Sequence, residues 1–182
     1  MTAATWGFDH THSSVNFTVR HMVVAKVHGQ FKKWSGTLAI DETDLTKSSV
    51  EVRIDAASID TQLSGRDDHL RSPDFLNAAQ YPELVFKSRK IELAGEDEYR
   101  IVGDLTIQDV TKEVVLVTEF NGKVNSPWGD ERAGFSAKTH IDRREFGLVW
   151  NKALEAGGVL VGDRVDIAIE VEAVAPAVAK AA

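Results

Sequence analysis

The chain of 182 residues has no cysteine, and it contains only four prolines and two methionines. Without cysteine, disulfides, thiolate metal sites and cysteine nucleophiles are all excluded. No apolar run approaches the roughly 18 residues of a membrane-spanning helix, so we expect no integral membrane span. Residues 1–12 show neither the basic nor the apolar segment of a secretory signal, and on this pattern we expect a cytoplasmic location.

An excess of positive charge is also lacking. The sequence has 21 Lys and Arg against 28 Asp and Glu, which gives a formal net charge of −7. Nucleic acids and anionic membrane surfaces are bound by clustered positive charge. The overall sign therefore argues against an anionic membrane surface, and we expect no nucleic-acid partner.

What the sequence does contain is a repeated alternation of apolar and polar residues. Val15, Phe17, Val19 and His21 share one parity, and similar runs recur along the chain. Alternation with a period of two is typical of strands that have one buried face. We count about eight such strands without helical crossovers, which indicates an antiparallel sheet. Closing these strands into a barrel removes the exposed edges, so the pattern predicts an all-β, eight-stranded antiparallel barrel.

The stretch between Thr61 and Gln80 breaks this alternation. Ser64 precedes Asp67 by three residues, and Ser72 stands directly before a proline, so both serines can cap a helix. The pattern predicts one or two short helices inserted after the third strand. We expect residues 1–174 to form a single domain and residues 175–182 to form a flexible tail.

The predicted inner face of the barrel mixes large and small residues. Phe17 and Phe135, for example, share it with Gly36 and Gly103. A barrel of eight strands can enclose one small ligand or fill itself with side chains. Small residues can leave a channel, or they can fit a tapering packed core. The alternation alone leaves both possibilities open.

Several motifs appear together along the chain in a fixed order. The first, W-x-x-D-x-x-H-S-x-V-x-F-x-V-R-H, runs from Trp6 to His21. Later motifs are H-G-Q-F, R-D-D-H-L, S-P-D-F, G-D-L-T-I, R-E-F-G-L and V-G-D. Their number, order and spacing resemble the YceI-like family of lipid-binding proteins, from Trp6 to about Val174.

This resemblance implies a lipocalin-like barrel with a helical insertion, whose interior holds a long isoprenoid or a similar amphiphilic lipid. It implies no required cofactor and no enzyme activity, and it makes a homodimer one state to expect. The resemblance and the strand parity together predict a ligand-binding wall. Its residues are Phe17, Val19, His21, Phe31, Trp34, Leu38, Leu84, Phe86, Leu105, Phe135, Ala137 and Ile141.

Polar groups for a ligand headgroup are predicted at the barrel mouth. His21 shares the inward parity of Phe17, although a buried histidine with satisfied hydrogen bonds fits the same pattern. In the helical insertion we expect a mouth or headgroup set, although helix capping and surface pairing explain its charged members equally well. This set is Arg66, Asp67, His69 and Phe75.

Other chemistry receives less support. His10 and His12 share a strand face near Asp9, but zinc sites have three or four protein ligands, so we predict no metal.

We predict a protein that binds or carries a long apolar or amphipathic molecule, such as a polyisoprenoid or a quinone-like lipid. One alternative is a lipid-modifying enzyme that uses His21 or the Arg66–His69 cluster. The other alternative is a packed barrel that serves as an interaction module.

Overall fold

The computed structural model describes residues 3–177. No helix within this range is long and apolar enough to cross a membrane. Of the tail predicted at 175–182, residues 178–182 lie outside the described residues. The helix α1 covers Ser64–Arg71. The strands are β1 (Ala4–Phe8), β2 (Ser14–His21), β3 (Ala25–Phe31), β4 (Trp34–Ile40), β5 (Ser49–Asp55), β6 (Ile59–Asp60), β7 (Glu83–Gly95), β8 (Glu98–Ile107), β9 (Val110–Asn125), β10 (Glu131–Asp142) and β11 (Val161–Val174).

The sheet closes into a barrel through the long strand β11. This strand pairs on one side with β10 and on the other side with both β1 and β2. Because β1 pairs with β4 while β2 pairs with β3, β1 and β2 together form one interrupted strand of the ring, and β3 and β4 together form the next one. In the same way, β6 continues β5 alongside β3 and β4. The ring therefore has eight antiparallel strands, as the alternation predicted.

An interruption between β3 and β4 keeps apolar side chains on the inside. Strict alternation would turn Trp34 outward if Phe31 points inward, because the two positions have opposite parity. In the structure the strand breaks at Lys32 and Lys33, and both aromatic residues line the interior. The break acts like a β-bulge, which re-aims the side chains that follow it.

The helical insertion lies between β6 and β7, after the third strand of the ring, as predicted. The capping expected from Ser64 is absent: this serine is the first helical residue, and Leu63 before it provides no side-chain cap. The helix start predicted at Ser72 is a turn instead, in which the Ser72 hydroxyl donates to the carbonyl of His69 at 2.6 Å. Local hydrogen bonds of this kind compete with helix formation.

The two ends of the barrel differ in construction. The α1 end carries the β2–β3 turn, α1 and the loop 143–160, and the far end carries loop 41–48 and the β7–β8 and β9–β10 turns. Toward the far end, four buried residues pack into a small hydrophobic core: Trp6, Ile40, Ala133 and Ala173. The larger core covers the interior and reaches the α1 end.

Candidate functional site: an apolar cavity inside the barrel

The interior of the barrel is hollow. It holds a cavity of about 480 Å³, whose lining runs from Arg66 and Trp150 at the α1 end to Leu45 and Ser48 at the far end. Inward-facing apolar residues such as Leu38 are only half-buried because they face this space instead of a packed neighbour. The volume is that of a small-molecule site. A packed barrel does not fit this interior.

Two glycines allow phenylalanine rings to lie flat against the wall. A Cβ atom added at Gly29 would fall 2.2 Å from Cζ of Phe17, and one added at Gly103 would fall 2.6 Å from Cζ of Phe86. Such distances are far below a van der Waals contact, so each ring occupies the space that a side chain would need. Glycine in these strands thus keeps the bulk of both rings out of the bore.

All twelve residues of the predicted wall lie along the cavity. They come from six of the strands, and within each strand they point inward, with the break at Lys32 and Lys33 turning Trp34 to the same side as Phe31. Contact between these residues and a ligand stays a prediction. The twelve are Phe17, Val19, His21, Phe31, Trp34, Leu38, Leu84, Phe86, Leu105, Phe135, Ala137 and Ile141.

The cavity also has walls that the sequence analysis did not name. Val165, Ile167, Ile169 and Val171 on β11 line it, and their alternation carried the signal needed to find them. Trp150 lines it too, but this residue comes from the loop before β11, where no periodic pattern marks an inward side chain.

An aromatic cluster covers the α1 end of the cavity. The His69 ring packs edge-on against Trp150 and Phe75, with ring centroids 4.6 Å and 5.1 Å apart. His69 Nε2 lies 2.9 Å from Asp74 Oδ2, which fixes the ring. His69 and Phe75, two members of the predicted mouth set, thus line the cavity beside Trp150.

Arg66 and Asp67, the other two members of that set, are both anchored on Thr61. The backbone N–H and the hydroxyl of Thr61 donate to Asp67 Oδ1 at 2.9 Å and 2.5 Å. Arg66 in turn donates from Nε to the Thr61 hydroxyl at 2.7 Å. Asp67 is buried and stands outside the cavity lining, whereas Arg66 lines the cavity, as does His21 from the end of β2.

A buried arginine that the sequence analysis missed holds the loop at this end. Arg143 donates to the carbonyls of Gly162, Leu148 and Trp150 at 2.8, 2.6 and 2.9 Å. Its burial lowers the pKa of the guanidinium, which Asp163 at 3.7 Å partly offsets. The loop that carries Trp150 is thereby fixed over the cavity. Nothing in the sequence distinguishes Arg143 from the neighbouring Arg144.

A group of possible metal ligands lies outside the barrel, toward the far end. Ligand atoms of Asp9, His12 and Glu172 lie within 4.8 Å of one another. Arg132 Nη1, however, donates to both carboxylates at 2.6 Å, so a guanidinium already occupies the position between them. His10, which the sequence placed beside His12, packs on Trp34 with ring centroids 4.4 Å apart. The arrangement is that of an ion-pair network.

Comparison with known proteins identifies the fold and the family. The family model described as YceI-like domain matches residues 6–173. The chain belongs to the YceI-like family. It is 42% identical over 137 residues to protein YceI of Escherichia coli O157:H7. The aligned segment covers 75% of this chain and 71% of that protein.

Solved structures of other proteins share the barrel. BcnA of Burkholderia cenocepacia superposes with a TM-score of 0.80 at 24% identity, over 91% of this chain and 98% of BcnA. A polyisoprenoid binding domain from Saccharophagus degradans gives a TM-score of 0.68 at 13% identity, over 96% of this chain and 99% of the domain. At these identities the likeness concerns the fold.

The network around Asp9 predicts a pH-dependent stability. The hydrogen bond to Asp9 raises the pKa of His12 above its ordinary 6.5, so the imidazolium stabilises the fold. This stabilisation is fully present below pH 6.5 and is lost as the pH rises through the raised pKa. We expect His12→Gln to lower the melting temperature more at about pH 5.5 than at about pH 9.

The control for this experiment is His10→Gln, which removes an imidazole that packs on Trp34 instead. Nuclear magnetic resonance titration of His12 gives the pKa directly. A melting-temperature loss for His12→Gln that is equal at both pH values would contradict the proposed charge pairing.

Proposed function

We propose that the protein binds a long apolar or amphipathic molecule inside the barrel and carries it. The observation that supports this most strongly is the cavity of about 480 Å³, which follows the barrel and is lined almost wholly by apolar side chains. Burial of apolar surface is the driving force of such binding, and it requires neither a metal nor an organic cofactor. A cytoplasmic location and a homodimer remain predictions of the sequence.

The expected energetics favour an elongated guest. Removal of roughly 500 Å² of apolar ligand surface from water stabilises the complex by about 12 kcal/mol before other terms. Loss of translational freedom and ordering of a flexible chain offset much of this. Because contacts with methyl and methylene groups have no preferred direction, we expect tolerance of chain length. The polyisoprenoid binding domain of S. degradans, which has the same fold, makes a polyisoprenoid the first ligand to test.

The α1 end is suited to hold a polar headgroup. Arg66 lines the cavity there, and among residues 3–177 its guanidinium forms no ion pair with a carboxylate. Guanidinium groups bind phosphate and carboxylate through charge-assisted hydrogen bonds. We therefore place an anionic or carbonyl headgroup beside Arg66, with the chain of the ligand extending toward the far end.

The enzyme alternative would use His21 or the Arg66–His69 cluster as acid or base. Within that cluster, His69 is already bonded to Asp74 and Arg66 to Thr61. Both contacts hold the helix and its ring stack in place. Recovery of a chemically altered lipid from the protein would favour this alternative, whereas recovery of an unchanged lipid supports binding.

Ala137 provides a direct test of the cavity. It lies on β10 with its side chain on the cavity wall, and Ala137→Trp should fill the bore and abolish uptake of a fluorescent polyprenol analogue. The control is Ala168→Trp on the neighbouring strand β11, because Ala168 is exposed and stands outside the lining. Circular dichroism should show that both variants fold. Uptake by the Ala137→Trp protein at the level of wild type would refute binding inside the barrel.

Arg66 provides a test of the headgroup position. Loss of a charge-assisted hydrogen bond should weaken the binding of a polyprenyl phosphate about tenfold in Arg66→Gln, while the binding of the neutral polyprenol should be unchanged. Arg71→Gln on the same helix is the control, since Arg71 pairs with Asp68 and does not line the cavity. Titration calorimetry measures both affinities. Equal weakening for both ligands would show that Arg66 acts only through the fold.

A further inference from the structure

The turn between β2 and β3 presents apolar side chains to solvent at the mouth of the cavity. Met22, Val23 and Val24 are 43%, 58% and 84% exposed. The residues His21 and Val27, which flank this tip, line the cavity. The tip therefore stands directly beside the α1 end of the bore.

The backbone of this turn is strained. Met22 and Val23 both have left-handed conformations, with φ of 53° and 67°. The turn has three residues, Met22–Val24, because His21 pairs with Ala25. A positive φ favours Gly or Asn, and a β-branched residue with a positive φ is a rare outlier. Strain that the surrounding structure maintains is concentrated at functional sites. The fold thus holds two apolar side chains in solvent at an energetic cost.

Three cations without acidic partners lie near the tip. Arg20 and Lys26 face each other across β2 and β3, an arrangement that costs stability because the charges repel. Lys152 is connected to the tip through two backbone hydrogen bonds. The Met22 N–H donates to the carbonyl of Leu160, and the Leu160 N–H donates to the carbonyl of Lys152. Among residues 3–177 none of these three cations forms an ion pair with a carboxylate. The net charge of −7 conceals this local cluster.

The far end has exposed apolar residues too, but its cations are paired with carboxylates. Leu93 and Val124 are 65% and 66% exposed. The nearby Lys123 is paired with both Glu42 and Glu131. The β7–β8 turn itself is acidic, with Glu96, Asp97 and Glu98 in sequence. Of the two ends, only the α1 end combines apolar side chains with unpaired positive charge within the described residues.

We propose that the mouth rim, defined as Arg20, Met22–Val24, Lys26 and Lys152, docks on the surface of an anionic phospholipid bilayer. The apolar tip enters the headgroup layer, and the three cations meet lipid phosphates, as in other interfacial segments that combine apolar and basic residues. The proposal rests on the proposed function, because docking gives an apolar ligand a route between the bilayer and the bore without crossing water.

The decisive variant replaces Met22→Asn together with Val23→Gly. This pair relieves the strained turn, so the melting temperature should rise, while binding to sedimented vesicles of phosphatidylcholine and phosphatidylglycerol should fall about tenfold. A residue pair with a merely structural role could not show this opposite response. The control is Leu93→Ser together with Val124→Ser at the far end, which should leave vesicle binding unchanged.

The charge requirement is tested with Arg20→Gln and Lys26→Gln. Each charge removed should weaken binding to the anionic vesicles about fivefold, and salt should weaken the wild type in the same way. Lys90→Gln with Arg100→Gln is the matched control, since both of these cations pair with Glu92. Vesicles of phosphatidylcholine alone should bind the wild type weakly.

Two outcomes overturn the docking proposal: a wild-type protein that does not bind anionic vesicles, and vesicle binding that the tip variant leaves intact. Uptake of the polyprenol analogue in vesicle-free solution is measured on the same samples. Uptake without vesicle binding refutes docking and leaves the proposed function in place. Vesicle binding through the tip without uptake refutes the proposed function and supports the docking surface.

Discussion

The site depends on one constraint. Eight strands close into a barrel, and their side chains do not fill its interior. Strand β11 closes the ring by pairing with both β1 and β2, and the ring then fixes the bore. The rings of Phe17 and Phe86 lie against glycine positions on the wall, so the aromatic mass lines the cavity without occupying it. The apolar interior and its length follow from this single arrangement, and so does the proposed ligand class.

Strand alternation predicted the part of the structure that repeats. The barrel, its strand number and the inward side of Phe17, Leu84 and Ile141 all follow from a period of two, because a closed sheet has one dry face. The same pattern predicted that the insertion follows the third strand, since alternation stops there. It could not decide whether the bore was hollow, because parity gives the direction of a side chain but not the space between opposite walls.

The contacts at the α1 end could not be predicted from the sequence, for a different reason. Arg143 binds three carbonyls of an irregular loop, and Trp150 covers the bore from the same loop, so neither follows a period. Asp67 has the spacing of a capping residue yet turns back to Thr61. The total charge likewise gives no sign that Arg20 and Lys26 lie opposite each other on β2 and β3. Which residues face each other across two strands depends on the strand register, which the sequence alone did not provide.

The central claim, that the bore takes up a slender apolar molecule, is tested most directly by native mass spectrometry of the purified protein before and after extraction with organic solvent. The account predicts one apolar adduct per chain, which the solvent removes unchanged and which added polyprenol restores at the same ratio. A chain that is empty as purified, and that stays empty when polyprenol is supplied in excess, would contradict it.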